Sequence, residues 1–275
     1  MSNTYYVLGG DARQTWAARR LEAAGCRVLS CGVPDWPEQL LPKHFAAEDR
    51  VVLPFPSFQG ALLRGKSALP SDELPARLAI GTRVFGGLLG DKRAIFEAHG
   101  AAVCDLYGSE PMTTANAIPT AEGAIALAME LSPMTLHGLR CLVIGFGRVG
   151  RVLAQKLHAL SAIVTVSARK AADRAMSEAL GMRGDETGVY RYGLTQYNFV
   201  FNTVPAPVLS EAQLSALSPD CILIELASKP GGMSEEACRR LGLTYHFAPG
   251  LPGRCAPAAA GTLYADCILQ LEEQN

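Results

Sequence analysis

The chain has 275 residues, 49% of them apolar, and its 25 basic and 26 acidic side chains leave a formal net charge of −1. That length accommodates two domains of ordinary size, each with its own core, while the near-balance of charge excludes a nucleic-acid surface or a polybasic membrane anchor. No apolar run reaches the roughly 18 residues of a membrane span, and the start of the chain lacks the basic, apolar and small-residue order of a secretory leader, so a cytoplasmic protein is expected.

Residues 1–115 read as a first α/β unit. A strand at 5–8 leads through Gly9-Gly-Asp-Ala-Arg-Gln14 into a helix over 17–24 that stops at Gly25. Further strands are expected at 27–30, 50–53, 83–85 and 101–104, with a helix over 91–98. Strands alternating with helices imply a parallel sheet, and ligands of such sheets lie beyond the carboxyl ends of the strands. The residues of interest here are therefore Gly9, Gly10, Asp11, Arg13 and the stretch 54–57. Residues 34–75, rich in proline and polar side chains, predict a long, partly mobile loop over a cleft.

Residues 116–256 read as a second unit, entered through a connecting helix that starts near Thr120, a candidate cap, with Ile118 as its staple. Its strands are expected at 142–144, from 163, and at 198–202, 222–226 and 244–247, with intervening helices over 171–180, 210–217 and 235–241. A last helix over 257–272 is expected to cross back onto the first unit. The eight cysteines stand singly, without the paired spacing of zinc ligands, which predicts reduced thiols and no metal.

The centre of the second unit is Cys141-Leu-Val-Ile-Gly-Phe-Gly-Arg-Val-Gly-Arg151. An apolar strand ends at Gly145, and Val149, Val152, Leu153, Leu157 and Leu160 continue at helical spacing. Gly145 permits the tight turn, Gly147 lets backbone approach a pyrophosphate, and Gly150 lets helix and strand pack closely. Phe146, Arg148 and Val149 complete a helix N-terminus that offers free N–H groups to phosphate. The strand from Ile163 ends in Ser167-Ala-Arg-Lys170, without the acid that would bind the ribose hydroxyls of NAD. A hydroxyl at Ser167 with the cations Arg169 and Lys170 suits the 2′-phosphate of NADP instead.

Three later loops follow strands and are expected around the nicotinamide. Asn202, Thr203 and Val204 open the first, where a small polar pair can bond a cofactor ribose. Lys229 stands in the second, placed to hold a substrate carboxylate or to move a proton. The third, 248–257, reads as a stiff proline-glycine loop carrying Arg254, which can meet a carboxylate in a fork. With Arg13, these cations favour an anionic substrate, most simply a dicarboxylate, although Arg13 or Arg254 could equally be a structural ion-pair partner.

Across nearly its whole length the chain resembles the A subunits of dipicolinate synthases. The matching stretches are Gly9-Gly-Asp-Ala-Arg-Gln14, Asn116-Ala-Ile-Pro-Thr-Ala-Glu-Gly123, Leu136-His-Gly138, Val143-Ile-Gly-Phe-Gly-Arg-Val-Gly150, Ala168-Arg-Lys170, Asn202-Thr203 with Pro205, Leu226-Ala-Ser-Lys-Pro-Gly-Gly232 and Ala248-Pro-Gly-Leu-Pro-Gly253. The resemblance implies an α/β fold of two Rossmann-like parallel-sheet domains in a D-2-hydroxyacid-dehydrogenase-like arrangement, with a flavodoxin-like first domain. It implies NADP-dependent oxidation of a dihydrodipicolinate-type cyclic dicarboxylate to pyridine-2,6-dicarboxylate in the mother cell of a sporulating bacterium. The partner it implies is a flavoprotein-like B subunit. Lys229, Arg13 and Arg254 are the catalytic candidates. A keto-acid reductase of similar build, or a non-catalytic NADP-binding component of a complex, are the alternative readings; oligomeric state is open, a homodimer included.

Overall fold

The structure is a computed structural model and describes residues 3–65 and 72–274. The chain divides into two compact units, one made of Met1–Asn116 with Ala256–Asn275 and the other of Ala117–Cys255.

In the first unit the strands β1 (Thr4–Leu8), β2 (Arg27–Cys31) and β3 (Arg50–Val52) are short and apolar at their centres. A two-stranded hairpin follows, β4 (Phe58–Gln59) with β5 (Leu62–Leu63), and then β6 (Arg83–Gly86) and β7 (Ala102–Asp105). The main sheet is parallel in the order β2-β1-β3-β6-β7. With the hairpin set aside, this is the 2-1-3-4-5 order of flavodoxin-like sheets. Helix α1 (Ala12–Ala23) is capped by Asp11, whose carboxylate accepts from the Arg13 amide at 3.1 Å, and α2 (Lys92–Ala98) and α3 (Glu110–Ala115) follow.

The last helix of the chain, α10 (Pro257–Glu273), belongs to this unit. Tyr264 and Ile268 join Ala17, Leu21 and Phe85 in one buried cluster, and the Tyr264 hydroxyl donates to the Leu53 carbonyl at 2.9 Å. Glu272 receives both Arg50 and Arg83, at 3.0 and 3.1 Å. Of the stretch 34–75, residues 66–71 lie outside the described residues. The remainder is tied down by buried Phe45, Leu63 and Leu74, so it carries more structure than its composition suggested.

The second unit begins with α4 (Ala117–Leu131), followed by β8 (Arg140–Ile144), α5 (Arg148–Ala159), β9 (Ile163–Ser167), α6 (Ala171–Ala179), β10 (Arg183–Asp185) and β11 (Phe199–Asn202). The chain continues through α7 (Glu211–Leu214), β12 (Ile222–Glu225), α8 (Glu235–Arg240), β13 (Thr244–Phe247) and α9 (Leu251–Cys255). Its sheet is parallel throughout, in the order β10-β9-β8-β11-β12-β13. This is the 3-2-1-4-5-6 order of dinucleotide-binding sheets. Leu142, Val143, Ile144, Val200 and Phe201 are fully buried between helical layers, as the uninterrupted apolar runs of parallel strands require.

Two local expectations need correction. The connecting helix starts at Ala117, so Thr120 lies inside its first turn rather than ahead of it. Residues 248–257 are not a loop throughout, because α9 forms within them. Leu251 and Pro252 are buried there, and a proline in the first helical turn loses no intrahelical hydrogen bond. The strand β10 went unread because three residues with a central glycine carry no legible alternation.

Candidate nucleotide site

The strand order reverses between β8 and β11, and the crevice beyond their carboxyl ends is where such sheets take ligands. Gly145 stands at that point with φ of +97°, a left-handed conformation open to glycine at no steric cost. Its amide donates to the Ser167 carbonyl at 2.8 Å, which joins the turn to the neighbouring strand. A methyl at Gly150 would overlap the Gly145 carbonyl oxygen, whereas one at Gly147 would meet no atom within 4 Å. The turn is thus closed at Gly150, where helix packs on strand, and open at Gly147.

Arg151 holds the outside of this turn. Its Nε donates to the Phe146 carbonyl at 2.8 Å, its Nη2 meets Asp173 at 2.8 Å, and its guanidinium lies 5.2 Å from the Phe146 ring centroid. Phe146 is buried, while Arg148 is exposed and Val149 half-buried at the start of α5.

At the end of β9 the three NADP candidates separate. Ser167 is fully buried, and its hydroxyl donates inward to Thr187 at 3.0 Å. Arg169 and Lys170 are exposed, with no ion pair to any described residue. Arg174 fixes their backbone by donating to the carbonyls of Ala168 and Arg169 at 2.9 and 2.8 Å. The acid on the adjoining strand, Asp185, is turned inward and faces Arg191 at 3.3 Å. The exposed side chains at the end of β9 itself, Arg169 and Lys170, are cationic, and the exposed acid after β10, Glu186, faces Arg174 at 3.6 Å.

The loop after β11 is organised from inside. Asn202 is fully buried. Its Oδ1 accepts from the Val204 amide at 3.0 Å, and its Nδ2 donates to the Val204 carbonyl at 2.9 Å and to Glu225 Oε1 at 2.7 Å. Thr203 Oγ1 donates to the Ile144 carbonyl at 2.9 Å. The side chains read as ribose contacts are thus engaged within the protein. Glu225, which sequence reasoning passed over, is the anchor of the next loop: it accepts from the Ala227 amide at 3.1 Å and the Gly232 amide at 2.9 Å. Burial pushes its carboxyl above the usual range, and the N–H donors around it only partly restore that. A glutamate closing an apolar strand was the one available signal.

Lys229 lies exposed on the loop that Glu225 secures, its Nζ 5.7 Å from the Phe247 ring centroid. Arg254 is exposed on α9. Arg13, in the first unit, is buried and grips Asp11 through Nε and Nη2, both at 2.8 Å. Of the two roles open to Arg13, the structure shows the ion pair. Among the described residues no group of three or more His, Cys, Asp or Glu could hold a metal, and no helix is long and apolar enough to cross a membrane.

No protein-family model matches the chain. It is 29% identical to the A subunit of dipicolinate synthase from Bacillus subtilis (strain 168), over 96% of this chain and 94% of that one. The crystal structure of the A subunit of dipicolinate synthase from Bacillus halodurans superimposes with a TM-score of 0.90 at 26% identity, covering 98% and 97% of the two chains. That of the Bacillus subtilis A subunit gives 0.87 at 26% identity, covering 100% and 97%. The fold alone is shared with D-lactate dehydrogenase of Escherichia coli, at a TM-score of 0.61 and 13% identity over 100% and 96% of the chains. The chain is thus similar to dipicolinate synthase A subunits from end to end, and its fold is that of two Rossmann-like α/β units.

Proposed function

We propose that the chain is the A subunit of a dipicolinate synthase, an NADP-dependent dehydrogenase that oxidises a dihydrodipicolinate-type cyclic dicarboxylate to pyridine-2,6-dicarboxylate. The observation that carries this reading is the whole-length likeness to two A-subunit structures, joined to an open Gly147 and a free cationic pair at Arg169 and Lys170.

The residues present fit a dinucleotide. Helix α5 begins next to the space left open at Gly147, and the N-terminus of a helix in that place can hold a pyrophosphate. Arg169 and Lys170 can hold a 2′-phosphate, with Arg169 offering a planar fork. Asn202 and Thr203 act indirectly, keeping the loop ahead of Val204 in one conformation. A bound nicotinamide supplies the hydride acceptor that aromatisation of the ring requires.

The chain's own part is to hold the acid and take up the proton released with the hydride. Arg254 is proposed to grip one carboxylate, and Lys229 to position the ring or accept the proton. A flavoprotein-like B subunit is the proposed partner, and the cytoplasm of a sporulating bacterium the proposed setting.

The test is turnover by the purified chain, alone and with its B-type partner, followed by nicotinamide absorbance with cyclic dihydro-dicarboxylates and open-chain keto acids offered in parallel. NADP-dependent oxidation of the cyclic acid is expected. Reduction of a keto acid instead would replace this reading by a D-2-hydroxyacid-dehydrogenase-like reductase. Lys229→Ala is expected to lower turnover far more than NADP affinity.

A further inference from the structure

Beside Lys229, within the second unit, a half-open groove of about 480 Å³ runs between the loop after β12, the loop after β11 and the edge strand β13. That volume lies in the range of small-molecule sites, which pair apolar walls with a few convergent polar groups. Pro207, Leu209, Met233 and Phe247 supply the apolar walls.

Three donors converge on the same space. The Lys229 ammonium has no ion-pair partner among the described residues and sits by the Phe247 ring. Tyr245, two positions before Phe247 and so on the same face of β13, makes no side-chain hydrogen bond to a described residue. Burial raises its phenol well above the usual range, so it stays a donor. The Ser234 hydroxyl accepts from the Ala237 amide at 3.2 Å, leaving its proton for another acceptor. Among the described residues Glu235 is the only acid in the wall. Glu225 holds the loop in place from behind by its bond to the Gly232 amide.

We propose that this groove binds a planar ring carboxylate, its carboxylate held by Lys229, Tyr245 and Ser234 and its ring laid against Phe247 and Met233. Cations and thioethers both favour flat π-systems, and an anion answers the unpaired ammonium. The proposal deepens the function proposed above and rests on it for which acid occupies the groove, the acid of the reaction or another aromatic acid.

The experiment titrates the full-length chain with pyridine-2,6-dicarboxylate, benzoate and cyclohexanecarboxylate by calorimetry and ligand-observed NMR. The flat acids should bind and the puckered one should bind at least about tenfold more weakly. Lys229→Met and Tyr245→Phe should each weaken the flat acids by about tenfold, the size of a lost charge-assisted hydrogen bond, with NADP titration reporting that the variants remain folded. A preference for pyridine-2,6-dicarboxylate over benzoate identifies the acid of the reaction, and equal binding identifies aromatic acids generally; either supports the groove. Flat acids that bind wild type and both variants alike, or do not bind at all, overturn it. If the chain turns over no cyclic acid yet the Lys229-dependent binding persists, the reaction falls and the groove stands.

Discussion

Asn202 Nδ2 donates to Glu225 Oε1 at 2.7 Å, and the two residues are in-register neighbours at the carboxyl ends of β11 and β12. Through Asn202 the pair fixes the loop at Val204, and through Glu225 it fixes the loop at Ala227 and Gly232. One buried contact therefore sets two of the loops in which the candidate chemistry lies. Glu225→Gln keeps the shape but puts an amide donor against one of these N–H groups. The cost of leaving buried polar groups unpaired is about 1–3 kcal/mol. Thermal unfolding should occur several degrees lower, and an unchanged midpoint would show that the pair does not hold the loops.

The pH dependence of stability should carry opposite signatures from two acids. Burial raises the Glu225 carboxyl above its ordinary value of 4.5, so the folded state keeps its proton longer than the unfolded chain. Stability then falls as pH rises through the window between those two values. At Asp11 burial also pushes upward, but the hydrogen bonds and charge of Arg13, with Arg64 behind it, hold the carboxyl below its ordinary value. Its contribution is complete above the unfolded value and is lost as pH falls through the folded one. Denaturant titrations at a series of pH values should show the acid-side loss shrink in Asp11→Asn and the Glu225 decline vanish in Glu225→Gln.

Alanine at two positions of the glycine turn should have separable effects. Gly150→Ala sets a methyl against the Gly145 carbonyl, backbone against which nothing can give, and should lower the unfolding midpoint. Gly147→Ala meets open space and should leave unfolding nearly unchanged while weakening nucleotide binding tenfold or more, an order-of-magnitude figure for a blocked phosphate approach. Unfolding and nucleotide titration measured on both variants check the pair.

Arg169→Ala should narrow the preference for NADP over NAD by about tenfold to a hundredfold, since a charge-assisted bond to phosphate contributes about 1.5–3 kcal/mol. NAD affinity should stay close to wild type. Parallel titrations of the two nucleotides decide this, and an unchanged ratio would remove Arg169 from the adenosine end.

Local pattern alone determined the strands from Leu142 to Ile144 and from Thr244 to Phe247, the turn at Gly145 to Gly150, and the cationic end of β9. Apolar runs, glycine spacing and missing acids are properties of neighbouring residues, so they can be read along the chain. What each polar side chain does was decided by the tertiary structure. Ser167 turns inward to Thr187, Asn202 to Glu225 and Arg13 to Asp11, although all three sit where a ligand contact was expected. A buried donor or acceptor must find a partner, and most of those partners come from residues far along the sequence that the sheet brings alongside. For the same reason Glu225, one more residue at the end of an apolar strand when read in sequence, is the anchor of a loop once β11 lies beside it.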